Sequence, residues 1–287
     1  MVAMTRSRWD AFWAWLVRRR LWVQASFLLV WLDPLMLRWH TVCGPVFHCY
    51  SCPLATVACP VGILAQFSAL HMFPFLAVGT LVVVGALIGT AVCGWACPFG
   101  LLQDLAGRIP TPKVKLPAWA GYTRYGVLLA TVLVIPYLWG TEHPLFFCRV
   151  CPAGALEAAL PNTVQTALGD GPTVWPGLAK IVILLAFLVA MLFTLRPWCT
   201  LFCPLGAIFS LFNRASTVVL RFRGDQCKQC GACETMCRYG VLPAVDMNNV
   251  ECIRCLECTK CDAITLGTVL EPHGPAARTG PSAPPSA

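Results

Sequence analysis

Cys227-Lys-Gln-Cys230-Gly-Ala-Cys233-Glu-Thr-Met-Cys237 and, fourteen residues further on, Cys252-Ile-Arg-Cys255-Leu-Glu-Cys258-Thr-Lys-Cys261 hold eight of the chain's 18 cysteines. The first run has the C-x2-C-x2-C-x3-C spacing with which thiolates wrap a [4Fe–4S] cubane, the fourth ligand coming from the other run. The spacing therefore predicts a crossed assignment. One cluster takes Cys227, Cys230, Cys233 and Cys261, and the other takes Cys252, Cys255, Cys258 and Cys237. Paired CxxC also makes structural zinc sites, usually as two distant pairs without a third and fourth cysteine in each run. Arg238 and Asp262 stand where Pro commonly follows the last cysteine, and the second run ends C-x2-C, so Cys261 is the irregular ligand.

Working outward, the 287-residue chain is 57% hydrophobic and only 12% charged, against about 25% charged in soluble domains. The composition predicts an α-helical membrane protein. Four apolar stretches are candidate transmembrane helices: Leu21–Leu37, Phe75–Val92, Tyr125–Trp139 and Trp175–Leu195. A span needs roughly 17–25 residues, so the third requires its flanks. The Lys and Arg residues precede the first stretch, join the second to the third, or follow the fourth. The exceptions are Arg38, Arg149 and Lys180. By the positive-inside rule both termini are cytoplasmic. The basic residues do not cluster on one soluble module, so no nucleic-acid partner is expected.

Four sites share Cys-Pro-x-Gly followed by apolar residues: Cys59-Pro60-Val-Gly62, Cys97-Pro98-Phe-Gly100, Cys151-Pro152-Ala-Gly154 and Cys203-Pro204-Leu-Gly206. They divide the membrane region into two pseudo-repeats, with the Cys-Pro loops alternating between outer and inner faces. Pro favours the first helical position, so each cysteine caps a helix and meets free N–H groups. Cys93-x3-Cys97 and Cys199-x3-Cys203 form matched inner pairs that can ligate one further [4Fe–4S] cluster or act as redox dithiols. Cys49-x2-Cys52 and Cys148-x2-Cys151 form the outer counterpart, for which a cluster, a dithiol and a disulfide stay open. Asp33 is a candidate proton relay or a helix cap. His71 and His143 flank spans as haem or quinol contacts or as water-bonded interfacial residues. No nucleotide-binding loop, hydrolase elbow or CxxCH occurs.

These residues divide the chain into an interfacial N-terminus (1–20), a four-span membrane domain (21–213), a cytoplasmic two-cluster ferredoxin-like domain (214–266) and a Pro/Ala/Ser-rich tail (267–287), expected to be disordered. In combination, Cys93-x3-Cys97-Pro, Cys199-x3-Cys203-Pro and the cysteine runs at 227–261 resemble the NapH/NosR/MauN membrane polyferredoxins. That resemblance implies electron transfer at the bacterial inner membrane, as a quinol dehydrogenase or electron-transfer subunit. Its partners would be the quinone pool and a soluble or membrane redox protein. A transmembrane thiol reductant serving periplasmic disulfides and a non-catalytic maturation subunit are the alternatives. Reporter fusions after Trp39 and Trp139 are expected to be exported; cytoplasmic reporter activity at both would overturn the predicted topology.

Overall fold

A computed structural model describes residues 8–32, 59–114, 116–160, 163, 164, 167, 175, 177–228, 230–237, 239, 241, 243 and 246–268. The described residues are mostly helical, with one antiparallel two-stranded ribbon among them near the C-terminal end. The helices used below are α1 (Arg8–Arg18), α2 (Arg20–Leu32), α3 (Pro60–Ala69), α4 (Phe75–Ile88), α5 (Pro98–Ala106), α6 (Trp119–Trp139), α7 (Leu178–Phe193) and α8 (Pro204–Leu211).

Among the described residues, α6 is the one helix long and apolar enough to cross a membrane. It is longer than the stretch from Tyr125 because the 3-10 turn Ala118–Tyr122 runs into it. Its middle, Leu128–Val134, is π-helical, just before Pro136, whose missing N–H breaks the regular ladder. Two of the other expected spans are shorter than predicted. The stretch from Phe75 stops at Ile88, because Gly89 turns the chain at φ +55°. The stretch from Trp175 is helical over Leu178–Phe193. The stretch from Leu21 is described only to Leu32. Leu76, Val83 and Leu87 on α4, Leu129 and Leu138 on α6, and Val182, Leu185 and Val189 on α7 are exposed. Apolar side chains thus cover the outside of these helices as well as the inside.

At each Cys-Pro site the cysteine caps a helix, as the proline after it predicts. Each cysteine is extended (φ −71 to −102°, ψ 108 to 119°) and the following proline starts a helix at once. Pro favours this position because it has no N–H to leave unpaired. The helices α3 and α8 run toward opposite ends of the helical body. From Cys59, α3 runs to the turn at 70–74, where α4 begins; α4 returns to Gly89, beside Asn213 and Arg254. From Cys203, α8 runs toward that same Asn213 end. The cysteines at the helix starts therefore lie inside. Cys97, Cys151 and Cys203 are all buried in one apolar core with Phe99, Phe147 and Trp198.

The ribbon pairs β1 (Val218–Phe222) with β2 (Ile264–Thr268), register Leu220↔Leu266 and Phe222↔Ile264. Leu220 and Ile264 pack with Leu256 and with Val17 of α1, so the N-terminal helix and the cysteine-rich segment share one end. The segment docks through the turn at 252–254. Arg254, 2% exposed, donates to the carbonyl oxygens of Ile88 (3.1 Å) and Asn213. Its own carbonyl accepts from Trp95 Nε1 at 3.0 Å. The Cys252 carbonyl accepts from Thr90 Oγ1 (2.7 Å) and Asn213 Nδ2 (2.8 Å). Arg254 adopts φ +50°, an uncommon value for a residue with a Cβ. Gly94 admits this turn, since a Cβ there would lie 2.6 Å from the Ile253 oxygen.

A second tie is ionic. Arg196 Nε and Nη2 donate to the two Asp104 oxygens at 2.8 and 2.5 Å, and Arg20 pairs with Asp104 at 3.0 Å. Arg196 Nη1 also donates to the Cys93 carbonyl at 3.0 Å, and Tyr239 Oη donates to Asp104 at 3.3 Å. Burial alone would raise the Asp104 carboxyl. Arg196 and then Arg20 outweigh it and hold the group below the usual carboxylate range. Its contribution to stability is therefore complete at neutral pH and is lost as pH falls through that lowered value. Asp104→Asn leaves two guanidinium groups short of a counter-charge, and thermal unfolding should register a loss of about 3–5 kcal/mol; an unchanged midpoint would contradict the pairing. Gly94→Val should free the cysteine-rich segment and speed its limited proteolysis, whereas a wild-type digestion rate would mean that the docked turn does not hold it.

Candidate cluster-binding sites

Cys93, Cys97, Cys199 and Cys203 line a single cavity at the docking end of the helical body. Two matched segments supply them, each a Cys-x3-Cys-Pro turn leading into α5 or α8. The repeat's glycines have a direct role here. A Cβ at Gly100 would lie 3.0 Å from the Cys93 carbonyl oxygen, and one at Gly206 would lie 3.2 Å from that of Cys199. Each glycine thus lets its helix pack on the first cysteine of its own pair. Two N–H groups point at sulfur: Gln103 Nε2 to Cys199 Sγ at 3.1 Å and the Gly206 amide to Cys203 Sγ at 3.4 Å. Such donors stabilise charge on a ligating thiolate.

Gln103 is 1% exposed, and its Oε1 accepts from the Trp198 amide at 3.1 Å. Nothing in the cysteine pattern marks Gln103. The signal that could have found it is a polar residue amid the apolar run after Cys97-Pro98. The buried Arg196 and Arg124 bring positive charge close to the cavity.

The second cavity lies in the docked segment. Cys237, Cys252, Cys255 and Cys258 line it with Leu220 and Tyr239, so one cysteine of the first run joins three of the second. The Arg254 amide donates to Cys252 Sγ at 3.4 Å. Burial pushes the Cys252 thiol up to about 12 and raises Cys255 and Cys258 as well. Bare thiols there stay neutral, and a bound cation or cluster is what makes them thiolates. The remaining four form the complementary group in sequence. Burial, then the neighbouring Cys261, pushes the Cys233 thiol up, which puts the irregular Cys261 beside the first run. Cys227 and Cys230 precede Gly231, whose left-handed φ of +67° starts the helical turn that carries Cys233.

Ile253, 5% exposed, belongs to the walls of both cavities. One side chain therefore separates the thiols of the helical body from those of the docked segment.

Of the other predicted residues, Cys49, Cys52 and Asp33 lie outside the described residues. Cys148 and Cys151 are described, and Cys148 shares the surroundings of Gly62 with Cys59, which sequence reasoning left out of the ligand set although it carries the Cys-Pro-x-Gly signature. His71 stacks edge-on against Tyr137 (4.4 Å between ring centres), and His143 accepts from the Leu145 amide at 3.2 Å. Both have ordinary local partners.

Among the described residues, no three His, Cys, Asp or Glu side chains converge as they would around a single metal ion. The thiols instead ring cavities. All-sulfur donor sets with N–H groups aimed at them fit an iron–sulfur cluster. Thiol exchange with another protein requires access to sulfur, and Cys93, Cys97, Cys199 and Cys203 are all buried.

Comparison with known proteins agrees with this chemistry. The family model described as a 4Fe-4S binding domain matches the chain twice, at residues 70–117 and 176–223. These stretches carry Cys93 with Cys97 and Cys199 with Cys203, and end before Cys227. An uncharacterized protein of Methanocaldococcus jannaschii is 30% identical over 62% of this chain and 71% of its own length. The methylamine utilization ferredoxin-type protein MauN of Methylorubrum extorquens is 29% identical over 64% of this chain and 56% of its own. The regulatory protein NosR of Pseudomonas aeruginosa is 30% identical over 58% of this chain and 22% of its own. The chain thus spans about half of MauN and a smaller part of NosR. No solved structure matches it. The chain belongs to the ferredoxin-type [4Fe–4S] protein family that includes MauN and NosR.

Proposed function

We propose that this chain is a membrane-anchored electron-transfer protein that relays electrons between the quinone pool and a redox partner. The observation that carries the reading is the shared wall at Ile253, which sets the four-thiol cavity of the helical body directly against the cavity of Cys237, Cys252, Cys255 and Cys258. Cys93, Cys97, Cys199 and Cys203 would hold one [4Fe–4S] cluster. Cys237, Cys252, Cys255 and Cys258 would hold a second, and Cys227, Cys230, Cys233 and Cys261 a third. When bound, such clusters supply one-electron oxidation and reduction.

The chain's own residues fix the conditions. Ile253, Phe99 and Trp198 keep water from the sulfurs, while Gln103 and the Gly206 and Arg254 amides donate to them. Arg254 and Asp104 fix the spacing between the two halves. Burial and hydrogen bonding of this kind tune cluster potentials.

Four membrane passes through α2, α4, α6 and α7 are part of the proposal. It is supported by the apolar outer surfaces of α4, α6 and α7, and by the packing of α1 against the cysteine-rich segment, as expected if both termini lie in the cytoplasm. Quinone at the membrane and a protein partner complete the relay.

In anaerobically purified protein, Cys233→Ala should remove one cluster's EPR signal and most electron entry from the cytoplasmic side. Retention of every signal would contradict the ligand grouping. Redox titration should place at least one cluster within the range of quinone couples, and potentials entirely outside that range would contradict the relay.

A further inference from the structure

The helical body holds a second set of thiols, at the far side of its core from the docked segment. A Cβ at Gly62 would lie 3.7 Å from Cys148 Sγ and 3.9 Å from Cys59 Sγ. The space of one absent side chain therefore separates two sulfurs that are far apart in sequence. Cys151 is 5% exposed and joins the same apolar core. Its Sγ accepts the Gly154 amide at 3.3 Å, the same N–H···S bond that Gly206 makes to Cys203 at 3.4 Å.

The glycines distinguish the two sets. A Cβ at Gly100 or Gly206 would come nearest the carbonyl oxygen of its own pair's first cysteine, and one at Gly206 would also lie 3.8 Å from Cys203 Sγ, whereas at Gly62 the near atoms include the sulfur of Cys148, from another segment. At this position the repeat's glycine lies against the sulfurs of two segments. The two sets also touch through the residues that precede their first cysteines. The rings of Phe147 and Trp198 lie 6.1 Å apart between centres, inclined at 33°.

We propose that Cys59, Cys148 and Cys151 form a further iron–sulfur-binding site, distinct from the four-thiol cavity and separated from it by the Phe147–Trp198 contact. The proposal rests on the reading of the Cys-Pro sites as cluster-binding. Three thiolates from two segments hold three corners of a cubane. The Gly154 amide supports the charge on Cys151, and the open side of Gly62 admits inorganic sulfide and iron between Cys59 and Cys148. A Cys148–Cys151 dithiol that serves other proteins is the poorer description, because exchange needs an accessible sulfur at both partners: Cys59 and Cys148 are half-buried, but Cys151 is 5% exposed within the apolar core.

The test is an iron and acid-labile sulfide count on the anaerobically purified full chain, with Cys148→Ser, Cys59→Ser and Cys233→Ala variants in parallel. Cys148→Ser and Cys59→Ser should each lose about 4 iron per chain and keep the signals that Cys233→Ala changes. Gly62→Val retains every thiol and should show the same loss, so it decides the matter if a cysteine variant folds poorly. Native thiol labelling should reach Cys59, Cys148 and Cys151 only after iron is chelated. Unchanged iron in the Cys148 and Gly62 variants, beside a loss in Cys233→Ala, would overturn this site alone. Unchanged iron in all of them would overturn the cluster reading itself. A disulfide between any two of the three, found by mass spectrometry in the purified protein, would also overturn the site.

Discussion

The guanidinium of Arg254, inserted between the Ile88 and Asn213 carbonyl oxygens, is the contact on which the arrangement of the two halves depends. It carries a full charge into a site that is 2% exposed. Burying such a charge is costly unless hydrogen bonds replace its water. Two helix-end carbonyls do so, since the last C=O groups of a helix have no partners within it. The same turn satisfies Thr90, Trp95 and Asn213. Docking therefore completes hydrogen bonding that the helical body cannot complete alone. It also puts Ile253 between two sets of cysteines.

Buried charge recurs at Asp104, where Arg20 and Arg196 meet one carboxylate. An ion pair of this kind adds little net stability compared with apolar packing, but removing one partner is expensive. Its position suggests what it contributes here. Arg196 holds the Cys93 carbonyl, and Asp104 accepts from Tyr239 on the wall of the neighbouring cavity. The network ties the backbone of one cysteine site to the side chains of the next, so neither can shift independently.

Much of the site was legible in the sequence because cysteine spacing is a local property. The grouping of Cys237 with Cys252, Cys255 and Cys258, and the approach of Cys261 to Cys233, follow from runs long enough to wrap a cluster but too short to supply every ligand. The matched Cys-x3-Cys-Pro pairs converge because the repeat gives two copies of one turn. Depth was not legible. A proline after cysteine says that a helix begins, and nothing local says whether it leads outward or inward. The direction of α3 and α8 is fixed by tertiary contacts at Gly85, Gly89 and Asn213. Cys59 was passed over because Cys49 and Cys52 offered the familiar CxxC spacing, while its real neighbour, Cys148, is remote in sequence. Gln103 and Arg254 were unreadable for a related reason: each is an ordinary polar residue until folding surrounds it with sulfur or carbonyl groups.

The central claim is that thiols of the helical body and of the docked segment hold clusters in one series. An iron and acid-labile sulfide count on the intact, anaerobically purified chain tests it most directly. The account predicts at least about 12 iron with matching sulfide, the sum for the four-thiol cavity and two clusters in the docked segment. A count of about 8 would confine the clusters to the docked segment and contradict the claim. A count near zero with stoichiometric zinc would contradict it entirely.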